Sequence, residues 1–293
     1  MTFPSNNNSD TNSELFANFV ADAEFAMYDQ SVARQLVKTF TVPMNSGKVV
    51  QVPVWASITA ERLTDEEVAT AKTTNTTAPT VTLAEHVVYN QITDGLRDSA
   101  YGDVMSDLAI QSGLAIGESV DTEVFSKFSS LNSDIGSTST ELTTELIMKA
   151  AATLRAAKVQ GPYYAVVHPN AAFNMKKVLT QGLNYTSGAT VANVPALSNV
   201  GNQVLVGGII GSIAGVTVIE SPLVALVTTG GATAYRGAVF APTAIGLAER
   251  GALDMNTLYL PAARATDMVL RQFAGTAVIR STHGVAITSE GTM

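Results

Sequence analysis

Cysteine is absent from the 293 residues, which removes disulfides, thiolate zinc sites and cysteine nucleophiles in one step. Charge is scarce too: 14% of residues are charged against 46% apolar, where a soluble globular domain carries about 25% charged residues. The scarcity is concentrated, because between Val178 and Tyr235 the only charged residue is Glu220. The most apolar part of that run, Val204 to Ile219, contains Gly207, Gly208, Gly211 and Gly215. It is too short and too glycine-rich for a membrane span of about 20 apolar residues, and its β-branched content favours strands. Such a run has to be covered by protein, either as a large β core within a monomer or as a contact surface between copies. The run alone supports both readings; the low charge of the whole chain, too little to keep a monomer's surface solvated, points to assembly.

Other absences narrow the function. Met1 to Asp10 is polar and asparagine-rich, with neither a basic n-region nor an apolar h-region, so the protein is expected to be made and used inside a cell. On that reading the glycosylation-type sequons at Asn7, Asn75 and Asn184 are chance occurrences. A net charge of −8 argues against a nucleic-acid clamp, which depends on Lys and Arg displacing counterions. There is no Walker loop: Gly47-Lys48 lacks the upstream glycine and the following hydroxyl residue. There is no Gly-x-Gly-x-x-Gly after a strand and no Gly-x-Ser-x-Gly elbow. His86, His168 and His283 are far apart and none lies at metal-ligand spacing with another. His168 before Pro169 and His283 before Gly284 read as rings hydrogen-bonded at element junctions. The expectation is therefore a protein that is not an enzyme and holds no cofactor or metal. A hydrolase with a Ser and His site assembled by folding stays open as an alternative; it predicts activity lost when His168 or His283 is replaced.

Between these gaps the segments differ in character. Thr11-x-x-Glu14 offers a capping box before Leu15, Phe16, Phe19, Val20 and Ala23, which share one helical stripe. This arm has five acidic residues and no basic one before Arg34, so it is expected to lie in a groove on a neighbouring chain. Phe40, Val42 and Met44 alternate with polar residues, Asn45-Ser46-Gly47 turns, and Lys48 to Trp55 returns as a hairpin, limited to edge strands by Pro43 and Pro53. A polar stretch with Asp65, Glu66 and Glu67, then a Thr-rich run from Thr70 to Thr80, precedes strand-like Val81 to Tyr89. This long projecting loop is expected to reach another molecule. A long helix follows from about Ser99 to Phe128, with Ile116, Val120, Val124 and Phe128 at i+4 intervals. From Asp98 to Glu141 there are eight acidic residues against one basic residue, Lys127, which predicts a negative face on this strut. Thr138-x-x-Glu141 predicts the start of a helix that Gly161-Pro162 ends. Tyr163 to Val167 reads as a buried strand and Pro169 as a first-turn helix proline. The second half holds short β runs: Val204 to Ile210, Val216 to Ile219, Val224 to Thr228, Val239 to Phe240, Met268 to Phe273, Thr276 to Arg280 and Val285 to Ile287.

The order of an acidic helical arm, a long two-stranded loop, a spine-like helix and Tyr163-Tyr164-Ala165-Val166-Val167-His168-Pro169 leading into a helix resembles the major capsid proteins of tailed bacteriophages, of the Hong Kong 97 type. Ile213 to Pro222, Tyr235 to Pro242 and the closing Met268 to Ile287 strands around Gly275 and Gly284 carry the resemblance further, over nearly the whole chain. It implies an α+β fold with an N-terminal arm (Met1 to Thr39), an extended loop (Phe40 to Thr93), a peripheral domain with a spine helix (Asp94 to Tyr163 plus Ala265 to Met293) and an axial domain (Tyr164 to Arg264). The uncharged run then falls where subunits converge, and the acidic strut toward the inner wall. The resemblance implies a virion component assembled in the host cytoplasm, built of pentamers and hexamers around double-stranded DNA. Partners are copies of itself, a portal, decoration proteins in some relatives and, with about 40 residues before the hairpin, a separate scaffolding protein. Candidate inter-subunit contacts are Phe16 and Phe19 on the arm, Trp55, Arg62, Asp65, Glu66, Glu67 and Lys72 in the loop, and Glu220 and Arg236 beyond. Some relatives crosslink through Lys and Asn; Lys48 and Lys72 lie in the loop region, and nothing in the sequence selects that chemistry. An encapsulin-like nanocompartment shell, enclosing an enzyme in place of a genome, is the nearest alternative.

Overall fold

A computed structural model describes residues 8–65, 68–99, 104–181, 211–229 and 232–291. The chain opens with helix α1 (Asn8–Gln30) and a short α2 (Ala33–Leu36), then β1 (Lys38–Thr41). Four short strands follow: β2 (Val49–Gln51), β3 (Val54–Trp55), β4 (Thr76–Thr77) and β5 (Thr80–Thr82). Next come β6 (Ala84–Thr93), α3 (Asp94–Ser99), the long α4 (Val104–Ser126), β7 (Ser133–Gly136), α5 (Thr144–Ala156), β8 (Tyr163–Val167) and α6 (Pro169–Gln181). The remainder is β9 (Ser212–Ile213), β10 (Val216–Glu220), β11 (Leu226–Thr229), β12 (Ala232–Phe240), β13 (Ile245–Leu260), β14 (Ala265–Val278) and β15 (Gly284–Glu290).

These strands form a four-stranded sheet in the order β1-β13-β14-β6 and a seven-stranded sheet in the order β7-β15-β12-β8-β10-β9, with β11 beside β12. Strand β8 shows why the larger sheet is covered on both faces. Successive side chains alternate, so Ala165 and Val167 join the core under α5 and α6 while Val166 joins the core under α4. Val239 and its neighbours Ala238 and Phe240 divide in the same way. Helix α4 serves two cores: Val120 and Val124, with Phe128 in the 3-10 turn that follows, pack with Phe240 and Leu247, while Ile116 belongs to a third cluster with Phe19, Met27 and Leu270. On β14, Gln272 lies between those two apolar clusters and accepts from Arg34 (3.0 Å), which also pairs with Glu249 (2.7 Å).

Several expectations change here. The predicted hairpin does not form: Asn45 and Gly47 do turn the chain with positive φ, but β1 pairs in parallel with β13, and β2 pairs with β5 from across the loop. Helix α1 begins ahead of the Thr11 box, and one face of it packs on α4 of its own chain through Phe19, Ala23 and Met27. The α4 contact is close because Gly113 and Gly117 leave room; a Cβ at Gly113 would stand 2.1 Å from the Ala23 carbonyl oxygen. Helix α5 starts at Thr143, whose hydroxyl accepts from the Leu146 amide, five residues beyond the Thr138 box. Leu142 and Ile147 flank that cap and are both buried, a hydrophobic staple. The helix ends before Gly161-Pro162, in a Schellman motif with Lys158 at φ +60°, the Val159 amide bonding back to Leu154 and the Lys158 amide to Arg155. The acidic residues of the strut do not make one negative face. Asp121 is buried and binds the Ser31 hydroxyl and the amides of Val32 and Ala33, Glu123 faces His86 and Thr276, and Asp134 pairs with Arg236. The run Val204 to Ile210 lies outside the described residues.

Candidate assembly surface

The feature that stands out from both sheets is a narrow ribbon. Strands β2 and β5 pair in antiparallel register, as do β3 and β4 beyond them. Pro53 interrupts the first arm and Pro79 the second; each lacks a ladder donor, and the Val52 amide reaches the Pro79 carbonyl (3.0 Å) instead. The base is fastened by a small apolar cluster of Val42, Val81, Leu83 and Ala248 and by Leu83 donating to the Lys48 carbonyl (2.8 Å). Arg250 adds a bond to the Gly47 carbonyl and Arg280 one to the Trp55 carbonyl (3.4 Å). Farther out the apolar side chains have no cover: Trp55 is 62% exposed, Ile58 67% and Val68 88%. A two-stranded ribbon with apolar side chains exposed along its outer part has no core of its own, and its stability comes from the base.

The histidines give no catalytic site. His168 caps α6, its Nδ1 accepting from the Asn170 amide (3.1 Å), and its ring stacks on Tyr235 at 3.5 Å. Burial lowers its pKa, which favours the neutral ring this contact uses. His283 bonds the Thr243 hydroxyl (2.7 Å), and burial and Arg280 lower its pKa. His86 stands between the Ser119 hydroxyl (2.8 Å) and Glu123 (3.3 Å), in the order of a hydrolytic triad. The resemblance ends there. Ser119 is inside α4, where backbone amides are committed to the helix and offer no oxyanion hole, and Glu123 already accepts from the Thr276 amide (3.2 Å) and hydroxyl (3.0 Å). The cluster is a tie between β6, α4 and β14. Among the described residues no group of three His, Asp or Glu could hold a metal ion, and no helix is long and apolar enough to cross a membrane.

A sequence profile described as phage capsid protein matches residues 80–289. The chain belongs to that family. It is a capsid protein, a structural component of virions that builds a shell by self-association, and no curated protein matches it in sequence. Solved structures agree on the fold. A structure from Mycobacterium phage Che8 is 17% identical with a TM-score of 0.62, covering 83% of this chain and 85% of its own. The capsid of cyanophage P-SCSP1u is 15% identical with a TM-score of 0.66, covering 89% of each chain. The capsid of Ralstonia phage GP4 is 12% identical with a TM-score of 0.65, covering 88% of this chain and 87% of its own. The α+β architecture is thus the Hong Kong 97-type capsid fold.

The residues expected at interfaces of this capsid protein are divided by the structure. Trp55, Arg62, Asp65 and Lys72 lie on the exposed ribbon, where Lys72 donates to the Thr59 carbonyl (2.9 Å); Glu66 and Glu67 lie outside the described residues. Phe16 falls within α1, whereas Phe19 is buried in its own chain's core. Glu220 pairs with Lys176 (2.7 Å) across α6 and β10, and Arg236 with Asp134 (3.4 Å) across β12 and β7. Phe19, Glu220 and Arg236 are therefore engaged within the subunit, as is the Lys72 ammonium. Sequence reasoning passed over Ile58, Leu63 and Val68, scattered apolar residues in a polar loop, and Phe25, which is 75% exposed on α1.

Proposed function

We propose that this protein is the major capsid protein of a tailed phage, and that its copies form pentamers and hexamers that close into an icosahedral head around double-stranded DNA. The family match over residues 80–289 carries the reading. The ribbon supports it, because an apolar tip fastened only at its base is suited to lie on an adjacent copy. Many modest interfaces multiplied over a closed shell suffice, and misplaced copies dissociate before closure. On this reading Met1 to Thr39 is the arm, Phe40 to Thr93 the extended loop, Asp94 to Tyr163 with Ala265 to Met293 the peripheral domain and Tyr164 to Arg264 the axial domain. Assembly takes place in the host cytoplasm with a separate scaffolding protein and a portal, and with decoration proteins where the head carries them. The subunit performs no catalysis, and it encloses DNA without reading its sequence.

Light scattering and negative-stain microscopy of the purified full chain test this. Closed hollow shells, or rings of five and six, are expected. A monomer or dimer that stays small at high concentration overturns the reading, and shells that enclose an enzyme and never a genome turn it to a nanocompartment.

A further inference from the structure

Helix α1 uses one face to pack on α4, and its other face is left outward in an unusual form. Asn18, Asp22, Phe25 and Asp29 follow one another at helical spacing along that outward stripe, and all are exposed. Phe25, 75% exposed, is thus a phenyl ring held in solvent between two carboxylates. Asp29 is also misplaced for the helix that carries it. It lies in the last turn of α1, which contains no basic residue, where the negative end of the helix dipole disfavours a carboxylate. No ion pair or hydrogen bond of Asp29 occurs among the described residues. A charge kept where it weakens its own helix calls for a use outside the chain.

The opposite pattern occurs on α5. Its buried side, Ile147, Ala150, Ala151 and Leu154, lies on the larger sheet, and its outward side bears Met148, 45% exposed, with Lys149, Ala152 and Ala156 also exposed and Glu145 in the first turn of the same stripe. Lys158, just past the helix, holds φ +60°, a conformation for which glycine is the ordinary choice. It too bears a charge at some cost to stability. The side chains of Lys149 and Lys158 make no ion pair among the described residues. The two alanines leave low ground beside a methionine between Lys149 and Lys158, with Glu145 confined to the first turn, on a protein whose net charge is −8.

We propose that the outward stripe of α1 on one copy docks on the outward face of α5 on a neighbouring copy, Phe25 lying against Met148 and the two alanines while Asp22 and Asp29 meet Lys149 and Lys158. The two surfaces differ, so the contact is head-to-tail, the kind that closes rings. It rests on the assembly reading above and specifies one of its interfaces. Opposed charges at the rim act mainly on encounter and register, so the contact weakens as salt rises.

Reciprocal charge reversal in the full chain tests it. Asp29→Lys, alone and with Asp22→Lys, should slow shell formation by roughly tenfold at physiological salt, as should Lys149→Glu with Lys158→Glu. The variant carrying both reversals should recover to within about threefold of the original chain, since the pairs are restored with exchanged signs. Asp29→Lys is the cleaner single change, because Asp22 also accepts a long bond from Ser106 (3.4 Å), and an unchanged thermal melt shows that the subunit still folds. Two singly reversed variants that assemble at the original rate overturn the contact and leave the capsid reading intact, as does a combined variant no better than its parents. If the Lys149→Glu, Lys158→Glu shells form normally but no longer retain DNA, the α5 face serves a polyanion and the proposal falls. If the unaltered chain forms no shell under any condition, the capsid reading fails first.

Discussion

At the scale of single residues, Gly113 has the least room for a side chain among the described glycines. Glycine is a poor helix former, yet a methyl there would penetrate the α1 backbone. Gly113→Ala should therefore cost about 1–3 kcal/mol despite its better helix propensity. Gly95→Ala in α3, where an added Cβ meets nothing within 4 Å, should gain about 0.5–1 kcal/mol. Urea denaturation of both variants checks the contrast. Acid sensitivity is also a residue matter. His168 and His283 have lowered pKa values, so their contribution is full above the ordinary imidazole value and is lost as pH falls through the lowered one. Glu123 follows at lower pH. Burial would raise its carboxyl, but hydrogen bonds from His86 and Thr276 and the nearby Lys127 hold it below the usual value, so its contribution is present above the ordinary carboxyl value and disappears on further acidification. Melting temperature measured against pH should fall in those two stages, and Glu123→Gln should flatten the second.

At the scale of elements, the sequence disclosed what local chemistry determines and hid what distant partners determine. The Tyr163 to Val167 strand, the proline-led helix after it and the buried i+4 row of α4 were legible because burial period and a first-turn proline are local signals. The helix start at α5 was misjudged because two Thr residues compete five positions apart; only packing shows that Leu142 and Ile147 staple the second. Thr143→Ala should thus cost about 1 kcal/mol and Thr138→Ala almost nothing by the same denaturation. Strand β13 carries no continuous strand signal in the sequence. Its alternation breaks at Gly251, where φ is +67° and the register with β14 shifts between Arg250 and Asp254, so a bulge disguises one long strand as two fragments. The ribbon was seen as a projecting loop, but its pairing was misassigned, since strand choice depends on residues 30 positions apart. Of the exposed apolar residues, Trp55 was legible at the border of a polar loop, while Phe25 was not, because periodicity cannot say which side of a helix its own chain will cover. The Ala56 amide donates to the Asn75 carbonyl (3.2 Å), so residues 57–74 can be replaced by a short Asn-Gly turn. That deletion should leave the subunit's melting temperature within a few degrees and abolish shells in the microscope.

At the scale of the whole molecule, the long-range pairings have a consequence for timing. Strand β1 lies beside β13, with Lys38 opposite Gly246. Strand β15, the last described, is not at an edge but between β7 and β12 in the larger sheet. A nascent chain emerging from the ribosome therefore completes neither sheet until β14 and β15 have left the exit tunnel. Pulse-labelled chains arrested before Gly284 should be cut rapidly by added protease, and released chains should resist it. Translation then sets the order of closure: until β15 has emerged, β7 and β12 lack the strand that joins them and the larger sheet stays in two parts.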